Sequence, residues 1–225
     1  METQVNNNTK FDTKKLVMLA LLAAIAYVVM FLSKQIPVNV LGFLNFDLKD
    51  VVICIAGFLF SPLAAAEVSI VVSFVEMYTV SSTGIWGFIM NVLSTCSMAC
   101  TAAFIYQKKR TQAGAIVGLV AGVLLMSAIM VLWNYLITPI YMTIPREQII
   151  PLLIPTFLPF NLIKGGINAT FTMLLYKPVV TALRKANLVP PSTGSGEDGK
   201  KVVLIVSAVL LVTFILLALV LAGVL

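Results

Sequence analysis

The sequence contains no histidine. Ser-His-Asp triads and histidine metal sites are therefore excluded. It has only three cysteines, Cys54, Cys96 and Cys100, all within apolar runs and none in a CxxC pair. Cys96 and Cys100 share a helical face, but two thiols without further ligands make a poor metal site. Buried, inert thiols are the expectation. No GxxxxGK[ST] motif occurs, so the chain has no P-loop with which to bind ATP. Charge is scarce too: 11% of the 225 residues are charged and 60% are hydrophobic, with a mean hydropathy of +1.04. A soluble domain carries about 25% charge. The apolar content instead supplies about six or seven membrane spans of ~20 residues. A soluble enzyme, a nucleic-acid-binding domain and a disordered chain are all excluded. The net charge of +6 has to be read by position, because Lys and Arg report orientation in membrane proteins.

The expected class is an all-α polytopic membrane protein. Residues 1–13 read as a polar tail without the basic start of a signal peptide. Residues 14–186 read as a six-helix membrane domain. Its spans are expected at about 16–32, 51–60, 63–80, 85–106, 113–137 and 160–183. The second is short and stops at Ser61-Pro62, a turn signal. Residues 138–159 are Pro-rich and irregular. A Pro/Gly/Ser linker at 187–201 precedes a last span, 202–225, with no charge at all. That span fits either a lipid-facing anchor or a helix docked on a partner, and its uniform apolarity favours the anchor. With the N-terminus cytoplasmic, inner segments hold Lys10, Lys14, Lys15, Lys108, Lys109, Arg110, Lys177, Arg184, Lys185, Lys200 and Lys201. Outer loops hold only Lys34, Lys49 and Arg146. The positive-inside rule then places both ends of the six-helix body inside and the C-terminus outside.

Lys164 is the most informative residue. A lysine within a span costs about 2.5–3.5 kcal/mol on insertion scales, so it is functional or paired. Asn161 and Asn168 lie three residues before and four after it, on the same helical face. The alternative is a lysine snorkelling to the headgroups. Trp133-Asn134-Tyr135 sets an amide between two aromatics, a pattern suited to a flat heterocycle. An interfacial aromatic belt is the competing reading. The stretch from Phe43 to Asp47 alternates apolar and polar residues and suits a lid over the bundle mouth. Glu67 and Glu76 are 2.5 turns apart and point to opposite sides, with Glu76 toward the site. Asp47 and Asp50 are candidate caps for the second helix. Ala20, Ala23 and Ala24 form a small-residue face on the first helix. Gly114, Gly118 and Gly122 form another on the fifth, expected to pack within the bundle. No internal repeat supports an inverted-repeat transporter.

Several segments together resemble the riboflavin-specific S components of energy-coupling factor (ECF) transporters. These are the Lys-rich start before Leu19-Ala20-Leu21-Leu22-Ala23-Ala24-Ile25-Ala26, Phe46-Asp47-Leu48-Lys49-Asp50, Gly57 to Ala64, Thr83-Gly84, the Trp133-Asn134-Tyr135 triplet and Leu158 to Gly165. The resemblance covers about residues 10–185. It implies a six-helix substrate-binding subunit of the bacterial cell membrane, not an enzyme and without a cofactor of its own. Riboflavin would bind near the outer face as the transported ligand. By the same resemblance, Asn134, Asn161 and Lys164 would hydrogen-bond it, and Leu44, Asn45, Phe46 and Asp47 would cover it. Gly84 would allow close backbone approach, with Glu76 and Tyr135 as further candidates from their position. Ala20 and Ala24 would dock on a T component, driven by two cytoplasmic ATPases. The last span departs from the six-helix pattern. The same fold with another vitamin, or a non-ECF membrane subunit, is the alternative.

Overall fold

The computed structural model describes residues 13–36, 38–41, 44–185 and 200–224. Nine α-helices are present among them: α1 (Thr13–Lys34), α2 (Lys49–Leu59), α3 (Pro62–Thr79), α4 (Gly84–Lys109), α5 (Gln112–Leu136), α6 (Thr138–Met142), α7 (Arg146–Leu152), α8 (Leu158–Lys185) and α9 (Lys200–Leu221). A two-stranded ribbon, β1 (Asn39–Val40) with β2 (Leu44–Asn45), lies between α1 and α2. Six stretches are long and apolar enough to cross a bilayer: 13–34, 62–79, 84–109, 112–136, 146–183 and 204–221.

α2 is the exception. At 11 residues it spans only about 16 Å, half a hydrocarbon core. Ten successive residues, Lys49 to Phe58, are nevertheless buried. A helix buried all round lies inside a bundle, and α2 is enclosed by α1, α3, α4 and α8. It ends at Ser61-Pro62, where the Ser61 hydroxyl accepts from the Ala64 amide at 3.0 Å and Pro62 takes the first turn of α3. Thr111 caps α5 in the same way, accepting from the Gly114 amide.

α4 and α5 pack most closely. A Cβ at Gly118 would lie 2.6 Å from the Ala102 carbonyl, and one at Gly122 would strike the Met98 carbonyl. Only glycine permits that backbone approach. The spacing of these glycines predicts a face inside the bundle, and the structure agrees. Cys54 lies in the core and Cys96 and Cys100 are partly buried. No group of metal ligands forms among the described residues.

The expected Pro-rich stretch, 138–159, is not a loop. It folds into α6, α7 and a π-helical turn, Leu153–Phe157, that runs into α8. The expected carboxylate caps of α2 are also absent. Leu48 occupies the N-cap without a side-chain bond, because Asp47 and Asp50 are engaged elsewhere. Phe43 and most of the 187–201 linker lie outside the described residues.

A candidate substrate cavity under a clamped lid

α1, α3, α5 and α8 bring one set of ends to the ribbon, α6 and α7. There the structure holds a cavity of about 280 Å³. Its walls come from the lid (Leu44, Asn45, Asp47), the α3–α4 turn (Val80 to Thr83) and α4 (Trp86, Gly87, Met90, Asn91, Ser94). Met130 and Asn134 of α5, Tyr141 of α6, and Phe160, Asn161 and Lys164 of α8 complete it. Lys34 and Glu76 line it as well.

The lid is held at its root. The Lys164 ammonium donates to Asp47 Oδ2 at 2.8 Å. Asn168, one turn on, donates to the Asp47 carbonyl at 2.9 Å. The Leu48 amide donates to Ser33 Oγ of α1 at 3.3 Å. Burial alone would raise the Asp47 pKa, but the charges of Lys164, then Lys49 and Lys34, outweigh it and hold the carboxyl well below the usual range. The stripe read from the sequence is therefore real: Asn161, Lys164 and Asn168 are all buried, facing the bundle interior. Lys164 does not snorkel.

A second ionic cluster lies beneath. Glu76 accepts from Lys34 at 2.5 Å and from Lys49 at 2.6 Å. The charge distribution along the sequence places Lys49 in an outer loop. It is instead 1% exposed, as the first residue of α2. Asp50 accepts from the Thr95 hydroxyl at 2.6 Å. Lys34, Lys49 and Lys164 thus share this end of the bundle with three buried carboxylates. Both cavity-lining lysines, Lys34 and Lys164, are ion-paired. The cavity carries no spare cation among the described residues.

The two amides are fixed by residues one helical turn away. Asn134 Nδ2 donates to the Met130 carbonyl at 2.7 Å, and the Thr138 hydroxyl donates to Asn134 Oδ1 at 2.9 Å. Asn161 Nδ2 donates to the Phe157 carbonyl at 2.7 Å. Asn134 is thus held by α5 together with the first residue of α6, and Asn161 by the π-helical turn that leads into α8, and both line the cavity.

Of the residues expected at the site, Leu44, Asn45, Asp47, Glu76, Asn134, Asn161 and Lys164 line this cavity. Three do not. Tyr135 lies against Arg146, whose guanidinium is 5.0 Å from its ring centre, and Trp133 packs into the core. Successive helical residues diverge by about 100°, so only the middle member of the triplet faces the cavity. Gly84 has open space around it and a φ of +56°, so it is required by the left-handed turn into α4. Phe46 lies on the other side of the lid, its ring 4.8 Å from that of Phe160, which does line the cavity. Glu67 is exposed on the far side of α3 from Glu76, as expected. The polar members of the α3–α4 turn, with Trp86, Asn91 and Ser94, were missed.

Residues 14–176 match the family model for the substrate-specific component of ECF transporters. The chain belongs to that family. It is 29% identical over 180 residues to the riboflavin transporter RibU of Staphylococcus aureus (strain TCH60), covering 77% of this chain and 94% of that protein. It is 28% identical over 187 residues to the riboflavin transporter FmnP of Bacillus subtilis (strain 168), covering 78% and 98%. A solved S component of a bacterial ECF transporter superposes with a TM-score of 0.65 at 29% identity, covering 76% of this chain and 98% of that one. This S component is thus a multi-pass membrane protein of the substrate-binding type. The matched family region stops short of α9.

Proposed function

We propose that this S component binds riboflavin in the lidded cavity and delivers it across the membrane when coupled to a T component and two cytoplasmic ATPases. The observation that carries the reading is the chemistry of the cavity wall. Trp86, Tyr141 and Phe160 supply aromatic surface, Asn134, Asn161 and Asn91 supply amides, and both lysines are already neutralised. An uncharged, flat, hydroxyl-rich ligand suits such a wall, whereas an anion would need an unpaired cation. The riboflavin transporters among its relatives favour this ligand over another vitamin. With about 27 heavy atoms at ~0.3 kcal/mol each, the binding free energy reaches about 8 kcal/mol, a micromolar Kd or tighter.

In this reading the N-terminus is cytoplasmic and the lid faces outside, following the lysine and arginine distribution. Ala20 and Ala24 are exposed on α1 while Ala23 is buried. That leaves an open small-residue face on which a T-component helix can pack closely. The deciding experiment is purification in detergent, an absorption spectrum, and a riboflavin titration followed by flavin fluorescence. Co-purified flavin, or saturable quenching near one-to-one, supports the reading. A folded protein that neither carries nor quenches flavin removes riboflavin and leaves the family assignment in place.

A further inference from the structure

We infer that α9 is the rear wall of the lid, and that it sets how far and how fast the lid opens. The inference rests on reading the neighbouring cavity as the substrate site. A helix serving only as an anchor needs no particular seat, but α9 has one. Phe214 lies over Gly166 of α8, where a Cβ would come within 2.5 Å of its ring. Nearer the lid, Ala218 is buried against Ile163 and Ile167. At the end of α9, Leu221 packs on the cluster of Val40, Leu44, Ile149, Phe157 and Phe160. Phe46 of the lid packs on both clusters. The lid is therefore sandwiched, with the substrate cavity before it and α9 behind.

The sandwich is not filled. A largely apolar recess of about 270 Å³, open on one side, lies between them, lined by Phe46 and Leu48 of the lid, Ile167 of α8, and Ile215, Ala218 and Leu219 of α9, with the buried Asp47–Lys164 pair also on its wall. This recess lies directly behind the aromatic ring that supports Phe160. Retraction of Phe46 into it releases the Phe160 ring and lets the lid residues that do line the cavity, Leu44 and Asn45, draw back without unfolding α2 or α8. α9 closes the far side, so the depth of the space limits the stroke.

Two substitutions in the full chain act in opposite directions. Ala218→Phe fills the space, and Leu221→Ala loosens the packing behind the lid. Leu217→Ala, on the exposed face of α9, is the control. The first readout is hydrogen–deuterium exchange of amides 44–48 in ligand-free protein, with 95–103 of α4 as the folding reference. Ala218→Phe should slow exchange at least threefold, Leu221→Ala should speed it at least threefold, and the control should match wild type. The second readout is stopped-flow riboflavin quenching. Ala218→Phe should slow association and release together and leave Kd nearly unchanged. Lid exchange unchanged in Leu221→Ala, or shifted the same way by both variants, overturns the inference. A wild-type protein that fails to quench riboflavin overturns the ligand instead, and lid exchange still decides the role of α9.

Discussion

Lys164 and Asp47 are 117 residues apart in sequence and 2.8 Å apart in the structure. One stands on α8 and the other on the lid, so this ion pair, with the Asn168 bond to the Asp47 carbonyl, ties the lid to the cavity wall. Both groups are nearly inaccessible, at 11% and 4% side-chain exposure. Breaking a buried pair by removing one partner typically costs about 3–5 kcal/mol, because the other charge is stranded. Lys164→Ala should therefore raise the riboflavin Kd at least tenfold and lower the melting temperature. The double variant Lys164→Ala/Asp47→Ala should regain much of the melting temperature without regaining affinity. A single variant with wild-type affinity would show that the pair does not hold the lid.

The same pair predicts how the protein responds to acid. Burial raises the Asp47 pKa, but the three neighbouring lysines prevail and the carboxyl titrates below its ordinary value. A depressed folded-state pKa contributes stability that is complete above the unfolded value, near 3.9, and is lost as pH falls through the folded one. Between pH 7.5 and pH 5 the Asp47–Lys164 link should thus stay intact. Lid exchange over residues 44–48 should be the same at both pH values after correction for intrinsic rates. A lid that loosens near pH 5 in wild type but not in Asp47→Asn would contradict this.

Lys49 and Glu76 give a prediction about folding. Lys49 is 1% exposed and Glu76 is the carboxylate it is paired with, at 2.6 Å. Glu76→Gln removes the carboxylate that Lys49 and Lys34 share, and leaves the buried Lys49 without a paired carboxylate, with only the charges of Asp47 and Asp50 nearby. A loss of about 3–5 kcal/mol is expected, read as a large drop in melting temperature. Lys49→Met/Glu76→Met should recover most of it, since an apolar pair fits a site enclosed by helices. Equal melting of Glu76→Gln and wild type would mean that Lys49 finds another partner.

Much of this site is legible in the sequence because membrane spans punish unpaired polarity. Lys164 sits in an apolar run with asparagines three residues before and four after it, and lipid would leave all three without partners, so the stripe has to face inward. The Gly118 and Gly122 face is equally readable from its spacing. Pairing is harder. Lys34, Lys49 and Lys164 face Asp47, Asp50 and Glu76, and equal numbers at one end of a bundle suggest mutual neutralisation. Which carboxylate meets which lysine depends on helix rotation, which spacing within one segment does not encode. The triplet at 133–135 misleads for a geometric reason: adjacency in sequence is divergence on a helix. Phe46 misleads because a lid has two faces, and the sequence shows alternation without showing which face is front. The short helices at 138–157 are hidden by their prolines: Pro139 sits in the first turn of α6 and Pro145 at the N-cap of α7, where a missing amide does little harm, while Pro151 lies inside α7 just before the π-helical turn that holds Pro155.

Thr138 shows how an orienting contact can be tested without touching the ligand site directly. Its hydroxyl donates to Asn134 Oδ1, leaving the amide turned one way, and Thr138 is fully buried. Thr138→Val keeps the shape and removes the donor. A neutral hydrogen bond contributes about 0.5–1.5 kcal/mol, so riboflavin affinity should fall roughly two- to tenfold. Thr138→Ser keeps the donor and should restore most of that affinity. If Val and Ser behave alike, the hydroxyl does not position Asn134.

Ala20 and Ala24 address coupling rather than binding. They are exposed on α1, in line along one helical face, and exposed Leu21 and Ile25 flank them. They line no part of the lidded cavity. Small residues let two helix backbones approach closely, and a bulky side chain forces them apart. If this face receives the T component, Ala24→Trp should abolish riboflavin uptake by cells or by proteoliposomes containing the complete transporter. Riboflavin affinity of the isolated subunit should stay within twofold of wild type, because the change is on the outside of the bundle. Uptake that survives Trp at both positions would move the docking surface to another helix. Loss of binding together with uptake would mean that α1 had been displaced rather than its outer face blocked.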